Sequence, residues 1–220
     1  MPIDPDAAIT ISGFAWVPDF ARGQVRDLRV RWILEEVGLF YRTRLLKQGD
    51  QDTPEYRALQ PFGQVPIFEE NGFVLFETGA IVLHIAERSE DLLPADPAAR
   101  ARVVQWVIAA LNSIEPFAMN VANIDFFYSD QEWARLRRPG AVELMRRRLA
   151  GLSNALRDQA YFEGERFTAA DLIMTGVLRV LEHTKLIDGY TNLSDFKARC
   201  EGRPAFAKAL ASQIADFEER

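Results

Sequence analysis

The pair Asn71-Gly72 stands between two short apolar runs, Val65-Pro66-Ile67-Phe68 with two glutamates and then Phe73-Val74-Leu75-Phe76. Both turn residues tolerate positive φ, so this is the strongest short-range signal for a two-stranded antiparallel hairpin. Two alternating segments precede it. Ile9-Thr10-Ile11-Ser12-Gly13-Phe14 reads as a strand, and residues 40–46 read as another. Between them, residues 25–36 place Leu28, Val30, Trp32, Ile33 and Leu34 among charged neighbours ahead of Gly38, the pattern of a helix with an apolar face. Thr53-Pro54-Glu55-Tyr56 supplies an N-cap and first-turn proline for a short helix, and a third helix opens near Thr78. Strand, helix, strand, helix, hairpin, helix is the expected order of an α/β domain.

After residue 88 the alternation ends. Residues 89–97 carry Pro94 and Pro97 and read as a linker; beyond them only helical periodicity remains, over about 98–126, 130–159, 168–183 and 203–217. The expected division is therefore an α/β domain over residues 1–88, a linker over 89–97 and an all-helical domain over 98–220. A formal net charge of −6 argues against a nucleic-acid partner, which demands concentrated lysine and arginine. One cysteine, Cys200, excludes an internal disulfide, and with only two histidines no conventional structural zinc site is expected. No basic stretch followed by an apolar one opens the chain, and no apolar run approaches the ~18 residues of a membrane span, so a cytoplasmic protein with no membrane partner is expected.

Three places carry recognition chemistry or its scaffold. Pro66 opens a strand, where it removes a ladder donor; an ordinary trans proline on an edge strand and a cis bond both answer that loss. Glu77-Thr78 opens a helix, whose unpaired N–H groups and positive end suit a carboxylate, with the Glu77 carboxylate beside it to accept from an ammonium group. A plain N-cap is the alternative. Thr168 and Asp171 have the spacing of a capping box, with Phe167 and Leu172 as staple, and serve to nucleate an apolar helix.

In this order and at these separations, over residues 10–206, the chain resembles the cytosolic glutathione S-transferase family. Glu77-Thr78-Gly79-Ala80-Ile81 is similar to that family's Glu-Ser/Thr-x-Ala-Ile signature, and Val65-Pro66 stands where its cis-proline does. The resemblance implies the glutathione transferase fold, a thioredoxin-like α/β N-terminal domain plus an all-α C-terminal helical domain. It implies a glutathione site made by Val65 and Pro66, by Glu77 and Thr78, and by Lys47, Gln48 and Gln64. Lys47 is equally a solvated loop charge. It further implies a homodimer, glutathione as cosubstrate without a metal, and an apolar electrophile of unknown identity in a detoxifying conjugation. Trp106, Phe117, Phe126, Phe127, Tyr128 and Trp133 can line the electrophile's pocket, or serve as core or subunit contact.

One departure stands out. Family enzymes activate the thiol with Tyr, Ser or Cys after the first strand, because the thiolate is the nucleophile. Residues 15–26 hold none of these, and aligning Arg29-Val30-Arg31 with the family's Lys-Val-Arg segment puts Gln24 or Val25 at that position. Arg22, Arg26 and Trp16 are the other candidates, by electrostatic stabilisation of a thiolate. Packing aromatics and surface arginines are the rival reading. Glutathione-dependent disulfide or peroxide reduction, and a non-catalytic binding protein of the same fold, are the alternatives to conjugation.

Overall fold

The computed structural model describes residues 3–217, so the extreme ends of the two expected domains, residues 1, 2 and 218–220, lie outside it. The chain forms two compact units, one of residues up to Glu90 together with those from Gly202 onward, the other of Asp91–Glu201.

The first unit holds a four-stranded sheet of β1 (Ile9–Phe14), β2 (Tyr41–Leu46), β3 (Ile67–Glu70) and β4 (Phe73–Phe76) in the order β2-β1-β3-β4. β1 runs parallel to β2, with Ile9 opposite Tyr41, and antiparallel to β3, with Ile11 opposite Phe68. The β3–β4 hairpin turns at Asn71 (φ 50°) and Gly72 (φ 83°), two consecutive left-handed residues as the Asn-Gly pair predicts. α1 (Asp27–Val37) links the parallel strands and ends on Gly38 at φ 70°, α2 (Pro54–Arg57) is one turn, and α3 (Thr78–Ala86) follows the hairpin. Ile11, Val30, Ile33, Leu34, Ile67, Phe68, Ile81, Val82 and Ile85 are each buried in this unit.

The boundaries expected from the sequence differ from this division in two places. α9 (Pro204–Ala215) packs on α1 and belongs to the first unit, not to the helical half. Its sequence is simply helical, whereas its placement depends on distant partners. Arg31, 1% exposed, donates to Asp27, Ser212 and Asp216; Gln213 donates to Asp27 at 2.6 Å and to the Val25 carbonyl at 3.1 Å; Arg203 forks onto Glu36 at 2.6 and 2.8 Å. Residues 89–97 are not a free linker either. Leu92 and Leu93 are buried, and the Leu92 carbonyl accepts from the Ala169 N–H within the second unit.

That unit contains α4 (Pro97–Ala109), a π-helical turn (Ala110–Ile114), α5 (Glu115–Phe127), α6 (Glu132–Leu156), α7 (Ala169–Arg179) and α8 (Thr191–Glu201). The single helix expected over 98–126 is thus two helices joined by the π-turn, and α8 is a helix the sequence reading did not anticipate. α7 is buried along its length. Its capping box forms as the spacing predicts: the Asp171 carboxylate accepts from Thr168 N–H at 2.8 Å, Thr168 hydroxyl at 2.9 Å and Phe162 N–H at 2.9 Å. Cys200 is buried and outside any disulfide, the usual setting of a cysteine that packs as a small apolar residue. No described helix is long and apolar enough to cross a membrane.

Candidate functional site

The site begins at the chain's entry into β3. The Val65–Pro66 peptide is cis. The Val65 side chain is 8% exposed and sits in a small apolar cluster with Leu46, Tyr56 and Ile67, against which Phe14, Val25, Leu59 and Phe76 pack. Among the described residues, neither the N–H nor the C=O of Val65 enters a turn, loop or cap hydrogen bond, and Val65 lies outside the strands. An anchored side chain with an unused donor and acceptor is what an extended peptide needs to add itself as a further strand.

The approach to Val65 is stiff. Gly63 adopts φ +64°, and a Cβ there would stand 2.9 Å from the Arg57 guanidinium and the Gln51 carbonyl, so glycine is required on both counts. Gln60 is buried; its side-chain oxygen accepts from the Phe62 N–H at 2.6 Å and its carbonyl from the Gly63 N–H at 3.1 Å. Gln64 is exposed, and its carbonyl accepts from the Tyr56 hydroxyl at 2.8 Å.

On the far side of the hairpin, Glu77 is exposed and takes φ 69°, ψ 116°, a region L-residues rarely occupy. Glu77 is the N-cap of α3 by position, yet its side chain makes no capping bond; Thr78 is the first helical residue and 5% exposed. Thr78 is therefore not the N-cap residue, and Glu77 holds that position without a capping bond. The first intrahelical bond runs from Ile81 N–H to Glu77 C=O, which leaves the N–H groups of Thr78, Gly79 and Ala80 ahead of the ladder. An exposed carboxylate beside a helix's positive end can read an ammonium and a carboxylate on one carbon.

Lys47 and Gln48 are exposed in the turn after β2, which is closed by Lys47 N–H donating to Asp50 at 2.9 Å. The loop over 15–26 is tied down by backbone hydrogen bonds. The Ala15 N–H donates to the Leu46 carbonyl, Ala15 and Val17 are buried, a 3-10 turn covers Asp19–Ala21, and Gly23 takes φ 74°. Trp16, Arg22, Gln24 and Arg26 are half-buried, and Arg26 stands at the N-terminus of α1. Arg22 approaches Asp19 at 3.4 Å and lies 5.9 Å over the Phe217 ring. The Ser12 hydroxyl, the nearest upstream nucleophile type, is 1% exposed and committed on both sides, to Tyr56 and to the Ile67 N–H.

In the second unit five of the six aromatics meet different neighbours: Trp106 with Phe162, Phe126 with His183, Tyr128 with Trp133, and Arg148 over Phe117. His183 also meets an acid that its sequence neighbours do not reveal. Its Nε2 lies 3.1 Å from Asp125, whose carboxyl is held below the usual range chiefly by the hydrogen bonds from Arg138. No cluster of three or more His, Cys, Asp or Glu suited to a metal occurs among the described residues.

Residues 20–87 match the family model described as "Glutathione S-transferase, N-terminal domain" and residues 138–204 match "Glutathione S-transferase, C-terminal domain". The chain belongs to the glutathione S-transferase family. A glutathione S-transferase of Hyoscyamus muticus is 28% identical over 184 residues, 75% of this chain and 82% of the relative. The elongation factor 1-gamma of Homo sapiens is 31% identical over 181 residues, 76% of this chain but only 40% of that protein. Among solved structures, the theta class enzyme of Xanthomonas axonopodis pv. citri with glutathione bound superposes at a TM-score of 0.79, with 26% identity over 94% of this chain and 99% of the other. A glutathione transferase family member from Pseudomonas fluorescens pf-5, with two glutathione molecules bound, superposes at 0.82 with 24% identity over 95% of each chain and bears on the fold.

Proposed function

We propose that the first unit binds glutathione and that the protein is a glutathione transferase. The observation that carries this reading is the pairing of Val65, side chain anchored and backbone unused, with Glu77, held exposed at positive φ beside the open end of α3. Val65 pairs with the main chain of the cysteinyl unit. Thr78 and the first N–H groups of α3 take the γ-glutamyl carboxylate, Glu77 takes its ammonium, Lys47 or Gln48 meets the glycyl carboxylate, and Gln64 borders the ligand. The bound thiol loses its proton to solvent or base. Its sulfur lone pair then forms a C–S bond to an electrophilic carbon, and the displaced group leaves with the electron pair of the broken bond. Arg22, Gln24, Arg26 and Trp16, half-buried before α1, are the residues that favour the thiolate.

The finer reading is a cytoplasmic homodimer acting in detoxification on an apolar electrophile. That finer reading rests on the family relation. A second reading, a glutathione-binding protein without transferase chemistry, draws support from one observation. The loop over 15–26 offers no Tyr, Ser or Cys, and the Ser12 hydroxyl is already spent on Tyr56 and Ile67. Thiolate absorbance of bound glutathione against pH separates the two. The transferase reading expects a thiol pKa well below that of free glutathione and thioether formation with an aryl halide. A bound pKa equal to the free value, with no product, would favour the binding protein.

A further inference from the structure

Tyr56 sits at the third position of α2, where the Thr53 cap accepts its N–H at 3.3 Å, and its ring is buried in the cluster with Leu46, Val65 and Ile67. Its hydroxyl lies 2.8 Å from the Gln64 carbonyl and 2.8 Å from Ser12 Oγ, and Ser12 Oγ accepts from the Ile67 N–H at 2.8 Å. The protons of this relay are determined by elimination. A carbonyl only accepts, so Tyr56 donates to Gln64; the Tyr56 oxygen must then accept from the Ser12 hydroxyl, and Ser12 accepts from Ile67. Three bonds therefore run in one direction and clamp the chain immediately before and immediately after Val65-Pro66.

The orientation this imposes is specific. The only cis bond of the described chain is Val65–Pro66, so the Gln64–Val65 peptide is trans and planar, and the Val65 N–H points opposite to the Gln64 C=O. Holding that carbonyl on the buried Tyr56 hydroxyl turns the Val65 N–H away from the apolar cluster. Burial also holds the Tyr56 phenol above its ordinary value, so it stays a donor across the neutral range.

We propose that Tyr56 and Ser12 are positioning residues for ligand recognition, fixing the peptide group through which Val65 reads its ligand. This rests on the glutathione reading above. Tyr56→Phe keeps the ring and removes the hydroxyl. It is expected to raise the Kd for glutathione about tenfold by calorimetry, the scale of one lost buried hydrogen bond, and to speed hydrogen exchange at the Ile67 amide. Ser12→Ala is expected to act in the same direction on both and serves if Tyr56→Phe does not fold. Thr168→Ala, which loses a helix cap in the second unit, controls for general destabilisation and is expected to leave the Kd unchanged. An unaltered Kd in the Tyr56 and Ser12 variants, whatever the Ile67 exchange, or an equal loss in Thr168→Ala, overturns the proposal. If Glu77→Ala weakens binding while Tyr56→Phe does not, this inference fails and the binding site stands; if the native protein does not bind glutathione, both fail.

Discussion

Glu77 holds a backbone conformation that its own hydrogen bonds do not repay. A non-glycine residue at φ 69° costs on the order of 1–3 kcal/mol, and its exposed side chain returns none of that through capping. Glu77→Gly should therefore raise the folding stability by about 1 kcal/mol in denaturant titrations while lowering glutathione affinity about tenfold. Both quantities falling together would mean that the residue is structural. Asp27 is the opposite case. It is 2% exposed and receives Arg31 at 2.8 Å and Gln213 at 2.6 Å, and burial raises its carboxyl against the pull of Arg31. Asp27→Ala leaves a buried guanidinium and a buried amide short of a partner and should cost about 3 kcal/mol in urea unfolding. Gly13 permits this arrangement, since a Cβ there would lie 3.2 Å from the Asp27 carboxylate. At this scale the sequence marked Glu77, Thr78, Val65 and Pro66, because their neighbours form a local pattern. It did not mark Tyr56 or Ser12 as a pair, because the contact spans 44 residues and neither residue type announces it.

Among the elements, the capping box of α7 makes a pH-dependent prediction. Burial is the leading influence on Asp171 and pushes its carboxyl up to about 6, in spite of donors from Phe162 and Thr168. Its folded value lies above its unfolded one, so its contribution is complete below about pH 4 and lost as pH rises through about 6, a change of about 3 kcal/mol. The stability advantage of the native protein over Asp171→Asn should shrink by that order between pH 4 and pH 7. If the three donors dominated instead, the advantage would grow with pH. Elements with local signals were legible in sequence: β1, α1, β2, the hairpin and α3 stand close to where periodicity and turn residues put them. α8 was legible in principle, with Leu193, Phe196 and Cys200 buried at helical spacing, but its polar character hid so thin a stripe. The π-turn at Ala110–Ile114 had no such marker, since one extra residue in a turn changes hydrogen bonding without changing composition.

For the whole molecule, the sequence supported two units, but their boundaries depend on tertiary partners. α9 reads as one more helix of the second half, and partners distant in sequence determine that it closes the first unit: Arg31 with Ser212 and Asp216, Asp27 with Gln213, Glu36 with Arg203 and Trp32 with Phe206. The family relation extends over proteins named as transferases and over others named elongation factor 1-gamma, of which this chain spans about 40%. Fold alone therefore does not select the chemistry, and the central claim rests on one ligand at one site. The direct measurement is a calorimetric titration of glutathione into the native protein and into Glu77→Ala. The account predicts saturable binding by the native protein, weakened about tenfold or more in the variant. No heat of binding to the native protein, or the same affinity in both, would contradict it.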